Sequence, residues 1–533
     1  MLLGDERRFL GDDPLTREPE TQDASGAQEW TIDLFIDLAT NLFSRPGDPT
    51  PDVRARNVNT IDEVPDSNWF TNRILARALT PDDVARGPLT GSGPAPGTWS
   101  VVSRKLAGVA PGFTMRDAGG EIWFVSFDAA GHPEAATGAI MAANKLFWAL
   151  GYWQVENYLI AVRPDQIAIA ETATFTPPSG RERRMRARDL DDVFARSHQS
   201  TDGTYRAVAA RAVPGRPIGG FRYYGTRPDD PNDLVRHEHR RELRGARVFG
   251  AWLNHDDSRS VNSLDMLMPT LRGSYVKHYM FDFGSILGSG TVYQQRHRAG
   301  NEYLLEWKPG WLSLATLGLY TRPWMHIDYP EAPLAVGRLE AEAFDPAKWR
   351  PEYPNPAFRN MRADDAFWAA RLVSRFTDGA IRAVVEKARF TDPRATDDLT
   401  AKIIKRRDKV VALWLTQVNP LIDFALSDGG ELTFANAAQR AGVATPAKAY
   451  RVQWARFDNA TGTAEDLSEP VVLNDQRAQA PAALISREPA PEFIEVRVVA
   501  VHPAFPAWGA PVTAHFRRAG PTWKLVGLAR MPD

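Results

Sequence analysis

Residues 254–288 read NHDDSRSVNSLDMLMPTLRGSYVKHYMFDFGSILG. The stretch contains His255-x-Asp257-x-x-x-x-Asn262 and then Asp282-Phe283-Gly284, separated by two short apolar runs at 263–268 and 274–281. That order suits phosphoryl transfer. An aspartate accepts the proton of an attacking hydroxyl, an asparagine five residues on swings back to a metal, and a second aspartate at the end of a hairpin holds the metal bridging the nucleotide phosphates. Asp257, Asn262 and Asp282 are the candidates, with His255 bracing the loop. The alternative is an ordinary loop and hairpin whose aspartates cap turns.

The combination resembles the catalytic loop and metal-binding loop of the protein-kinase-like fold. Phe281 to Gly288 in particular looks like the corresponding segment of phosphatidylinositol kinases. The resemblance implies a two-lobed α+β architecture, ATP as phosphoryl donor, Mg²⁺ or Mn²⁺ on Asn262 and Asp282, and a hydroxyl acceptor that no residue identifies.

The flanking sequence has the elements such a fold requires. Alternating runs at 98–104, 112–117 and 121–128 predict three antiparallel strands, a helix is expected over 133–150, and strands follow at 156–162 and 166–170. The expected hairpin at 205–224 turns around Pro214 to Pro217. The helix over 237–253 delivers the chain into His255, and further helices at 311–320, 366–376, 381–389 and 399–415 complete a large lobe.

One feature opposes activity. Kinases grip the nucleotide phosphates with a lysine on the third strand, paired to a glutamate on the next helix. Here that strand, 122–127, has no lysine, Ser126 stands nearest its place, and the helix carries only Glu134 in its first turn and Ile140 at its centre. Lys105, where the first strand turns into the second beside Gly108 and Gly112, is the candidate replacement. It would reach the phosphates from the other side, as in the with-no-lysine kinases. The two glycines also read simply as turn residues, because no G-x-G-x-x-G pattern is present. A scaffold that keeps the fold without efficient transfer, a pseudokinase, is therefore the alternative; a metal-dependent hydrolase using the same aspartates is the third reading.

The remaining sequence sets the organisation. A chain of 533 residues exceeds what one hydrophobic core usually supports. The expected units are a polar extension at 1–85, a small lobe at 86–175, a large lobe at 176–425 and a small β-sandwich-like domain at 430–533, the last a module for attachment or for a protein partner. Within the extension, residues 57–73 read as a loop pinned by Trp69 and Phe70. The 16 tryptophans read as core.

A formal net charge of −2 offers no attraction to nucleic acid, and no apolar run has the length of a membrane span, so a soluble protein is expected. The absence of cysteine removes disulfides, thiolate metal sites and thiol nucleophiles. Compartment stays open. Residues 1–8 lack an apolar signal core, and an extracytoplasmic home remains compatible with a removed signal. His237-Glu238-His239 does not form a zinc motif, since Arg241 stands where the second histidine of H-E-x-x-H belongs.

Overall fold

The computed structural model describes residues 9–11, 13–16, 21–105, 108–177, 180–329, 332–467, 469–485 and 491–531. The first eight residues, read above for a signal core, lie outside them. The chain is mixed α+β.

Strands β1 (Trp99–Arg104), β2 (Gly112–Arg116), β3 (Ile122–Phe127), β4 (Asn157–Val162), β5 (Ile167–Phe175), β6 (Arg183–Arg184) and β7 (Tyr205–Arg211) form one sheet in the order β4-β7-β3-β2-β1-β5-β6. Alternation of Val101, Phe113, Met115, Trp123, Val125 and Phe127 onto one face gives this sheet its own core. Helix Ala135–Leu150 follows β3 and stops at Gly151, whose φ of 118° supplies the left-handed turn.

The strand expected at 166–170 is present as β5, which runs parallel to β1. One expectation is corrected here: β7 takes the place between β3 and β4. Tyr205–Arg211 thus belongs to the sheet rather than to a hairpin with 221–224, and the sheet continues past residue 175. Small side chains at Ala207, Ala209 and Ala210 suit β7 to this interior position, flanked on both edges.

Helix Arg241–Leu253 is buried almost throughout. Asn254, at φ 53°, ends it in the left-handed region that asparagine tolerates, and releases the chain into His255. Strands β8 (Arg216–Pro217), β9 (Ser263–Thr270) and β10 (Gly273–Met280) make a second sheet. β9 and β10 pair in unbroken register, so Ser263 lies opposite Met280 and the loop's exit meets the entry to Asp282.

The polar extension is not a free arm. Asn57 and Asp62 bind Arg241 at the start of the buried helix, through the Arg241 amide at 2.8 Å and its guanidinium at 2.9 Å. Arg241 also meets Asp364 and Asp365, and Arg244 meets Asp365 at 3.0 Å, so four charged side chains with almost no exposure neutralise one another. Trp69 and Phe70 enter the main core, consistent with the pinned-loop reading.

That core is continuous from Val64 through helices Ala363–Val373, Asp378–Glu386 and Pro393–Trp414 into the C-terminal strands, ending at Trp523. The C-terminal part holds a three-stranded sheet (Leu421–Leu426, Glu431–Asn436, Arg477–Gln479) and a larger antiparallel sheet around Ala449–Asp458 and Phe493–Val501. Not every tryptophan is core. Helix Trp307–Ala315 buries none of its residues, and Trp307 and Trp311 are 60% and 63% exposed. Among the described residues, no helix is long and apolar enough to cross a membrane.

Candidate active site

The loop after Asn254 is built from the inside outward. His255 is buried and donates nothing to solvent. Its Nδ1 lies 3.1 Å from Ser258 Oγ, which in turn donates to the His255 carbonyl at 2.8 Å. Its ring meets Phe147 and Phe283 edge-on or tilted at 5.9 and 5.4 Å. Burial, with the Arg259 charge nearby, drives its pKa down to about 3, so it is a neutral packing element rather than a proton carrier.

Asn262 Nδ2 donates to the Asp257 carbonyl at 2.8 Å, closing the loop into a single turn. The same bond leaves the Asn262 carbonyl oxygen as the side chain's free acceptor. The Phe281 amide donates to the Asn262 carbonyl at 3.3 Å, which ties the loop to the residue before Asp282. Asp282 is exposed and sits at φ 61°, and its Oδ1 accepts the Gly284 amide at 3.4 Å. Phe283 turns the other way, into the core, and stacks on Phe147 with centroids 4.7 Å apart. Adjacent residues thus point to opposite environments, and helix Ala135–Leu150 holds the hairpin end through that ring pair.

Lys105 reaches the same place from the sheet. Its backbone amide donates to the Gly112 carbonyl at 3.1 Å, and its ammonium donates to Ser126 Oγ at 3.2 Å. Ser126 is the residue nearest the missing third-strand lysine, so the ammonium lies across that vacated position. Burial lowers the Lys105 pKa, opposed by the Asp282 carboxylate. Gly108 has φ 80° and lies 3.7 Å, from an added Cβ, to the Lys105 ammonium. Gly112 has a packing reason of its own: a Cβ there would stand 2.2 Å from the Val125 carbonyl oxygen across the β2–β3 pair.

Two carboxyl groups of the loop, Asp256 and Asp257, have raised pKa values. Burial pushes Asp257 up to about 7; Glu352 and Asp282 add to the rise, and Arg259 opposes it. Asp256 is pushed up to about 8 by burial, with Asp257 and Glu352 adding. Its carboxylate accepts Gln295 Nε2 at 2.7 Å. Arg259 pairs with Asp257 and with Glu352, the latter at 3.0 Å, and Arg298 approaches Glu352 at 3.4 Å. An aspartate that titrates near neutrality is suited to accept a proton and give it back.

Arg259, Glu352 and Asp256 were not singled out from the sequence. Arg259 stands two residues beyond Asp257, where its spacing was visible. Glu352 comes from the Pro/Tyr/Trp-rich stretch around Trp349, ninety-odd residues away, and no local pattern marks it. Glu134, the acid considered for the lysine's partner, is engaged elsewhere: its carboxylate accepts the Thr391 amide at 2.9 Å.

Among the described residues, no group of three or more His, Asp or Glu side chains is arranged to hold a metal ion. Asn262 and Asp282 offer one oxygen-bearing side chain each. This donor set fits Mg²⁺ or Mn²⁺ completed by phosphate oxygens and water, and does not fit an all-protein cage. His237 and His239 form no metal site: His237 Nε2 pairs with Asp233 at 2.6 Å and His239 Nε2 with Asp48 at 3.0 Å.

A scan against protein-family models finds no match, and searches of characterised proteins and of solved structures find none either.

Proposed function

We propose that this chain is a divergent kinase-like phosphotransferase that moves a phosphoryl group from ATP to a hydroxyl acceptor. The observation that carries the reading is the reach of Lys105 to Ser126, within the electrostatic influence of Asp282. A lysine from the turn after β1 lies on Ser126, and the carboxylate of Asp282 acts on both its charge and that of Asp257. The sheet is in keeping with it: β1, β2 and β3 pair in sequence, helix Ala135–Leu150 follows them, and β7 and β4 extend the sheet beyond β3, while β5 and β6 lie on the other side of β1.

In this reading Asp257 orients the acceptor hydroxyl and takes its proton. Lys105 holds the nucleotide phosphates, and Asn262 and Asp282 hold the divalent cation. The cation supplies charge neutralisation of the transferring phosphoryl group. His255 fixes the loop by packing. Arg259 pairs with both Asp257 and Glu352 and so holds the Asp257 carboxylate in place.

A non-transferring scaffold is the second reading, favoured by one observation. Glu134 is committed to Thr391, so Lys105 has no helix glutamate as partner. Calorimetric titration of ATP with and without Mg²⁺ or Mn²⁺ separates the two, using wild type, Asp282→Ala and Lys105→Ala. The transferase reading expects metal-dependent binding, lost in both variants. No binding at any metal concentration leaves the scaffold, and binding unchanged in Asp282→Ala removes the site assignment altogether.

A further inference from the structure

A pocket of about 400 Å³ opens in the C-terminal part, where the chain crosses from the larger sheet to the three-stranded one. Its volume falls within the roughly 300–1,000 Å³ of small-molecule sites. It lies apart from the loop of Asp257 and shares no residue with it. Tyr450, on strand Ala449–Asp458, and Phe434, on strand Glu431–Asn436, form its buried aromatic floor, their centroids 5.1 Å apart and their planes near perpendicular, and Pro446 and Ala447 add apolar surface nearer the mouth.

Two amides and a phenol form a closed set inside it. Gln476 Nε2 donates to Gln439 Oε1 at 2.7 Å and to the Tyr450 hydroxyl at 3.2 Å; Gln439 Nε2 donates to the same hydroxyl at 3.4 Å. Counting donors and acceptors shows what is left over. The Tyr450 oxygen accepts twice, so its own proton remains to be donated; the Gln476 carbonyl remains to accept; Gln439 keeps one N–H. The lining includes one charge of each sign, Asp475 and Arg477, and Arg477 is already paired with Glu431 at 3.4 Å.

Alternating donor and acceptor groups beside an apolar surface, with no net charge, match vicinal hydroxyls on a ring that also has an apolar face. We propose that this pocket binds a neutral polyhydroxylated ligand, the chemistry of a monosaccharide unit, either free or at the end of a glycan chain. The Tyr450 hydroxyl and Gln476 carbonyl bracket one diol, and Pro446 and Ala447, more open than the rings, take the C–H side. The inference is independent of the phosphotransferase reading.

The test is calorimetric titration of the full chain with a panel of neutral monosaccharides, beside a glycan array for chain ends. Tyr450→Phe, which removes only the hydroxyl, and Gln476→Leu and Gln439→Leu, both at half-exposed positions, are run in parallel, with thermal melts to verify folding. At least one sugar is expected to bind, with Kd raised about tenfold or more in each folded variant. Binding of free sugar and array signal together indicate a monosaccharide site; array signal alone indicates a chain-end site. Absence of binding in both formats overturns the proposal, and so does sugar binding that all folded variants retain.

Discussion

Trp69 lies flat on His278, with ring centroids 3.5 Å apart and planes 15° from parallel. The tryptophan comes from the N-terminal stretch and the histidine from β10, the strand that ends at Asp282. Around them His278 Nδ1 pairs with Asp265 at 2.7 Å, and the Arg240 guanidinium sits 4.6 Å over the indole. The hairpin that leads to Asp282 is thus clamped by the N-terminal stretch.

Trp69→Ala is expected to remove about 3–5 kcal/mol of stability, the usual cost of emptying a buried tryptophan site. It should also weaken metal-dependent nucleotide binding, because the hairpin loses its clamp. Denaturant titration and calorimetry on the same variant check the two effects. A loss below a kilocalorie or so would show that the stack contributes little.

Exposure divides the tryptophans in a measurable way. Trp368, 1% exposed against helix Arg241–Leu253, should cost about 3–5 kcal/mol when changed to alanine. Trp311→Ala is expected to stay within about 0.5 kcal/mol, since the side chain is open to solvent. Urea unfolding of both variants provides the comparison, and equal losses would contradict the exposed setting of helix Trp307–Ala315.

The buried ion network at the start of helix Arg241–Leu253 should be unforgiving of single changes. Asp365→Asn removes one charge from between Arg241 and Arg244 and leaves both guanidinium groups short of a counter-charge. The expected loss is about 3–5 kcal/mol, as for breaking a buried pair from one side. Thermal unfolding reads it directly.

Asp256 gives a pH signature. Its pKa is raised to about 8, so the folded chain binds this proton more tightly than the unfolded chain does. Stability contributed by the site is present at low pH and is lost as pH rises through 8. Asp256→Asn keeps an acceptor for Gln295 and removes the titration. The variant is expected to be the more stable above pH 8, by about 1–2 kcal/mol, with the gap closing toward pH 4. Melting curves across that range settle the sign, and a gap that widens toward acid would contradict it.

Transplanting the lysine tests the geometry rather than the charge alone. A contact of about 4 Å in a partly shielded cleft is worth about 4 kcal/mol, so under the proposed transferase reading Lys105→Ala slows phosphoryl transfer by on the order of a thousandfold. Lys105→Ala combined with Ser126→Lys returns an ammonium to the same spot from the third strand. Partial recovery of ATP binding is expected; none would mean that Lys105 does not serve the phosphates.

Much of the site was legible because its parts are local. The loop from His255 to Asn262 and the β9–β10 hairpin are set by spacing, apolar alternation and a tight turn at Leu271-Arg272, and they fold as their sequence suggests. Lys105 and Ser126 were each visible as candidates, on neighbouring ends of one meander, but their hydrogen bond was not. What escaped is non-local. Glu352 joins Asp257 only through the fold, and the placement of β7 in the sheet depends on strand order, which no periodicity encodes. The polar look of residues 1–85 hid a second kind of burial, in which Asn57 and Asp62 are interior because Arg241 is.

That burial bears on how the molecule is made. Residues 57–70 leave the ribosome early, yet their partners lie at Arg241, His278 and Trp368. The N-terminal segment must wait in an unfolded state while some three hundred further residues are synthesised. At a translation rate of roughly 5–20 residues per second, this delay lasts tens of seconds. Long-range closure of this kind is slow and leaves apolar surface exposed in the interval. The chain should therefore refold sluggishly and benefit from chaperones during synthesis, with residues 57–70 among the last to find their places.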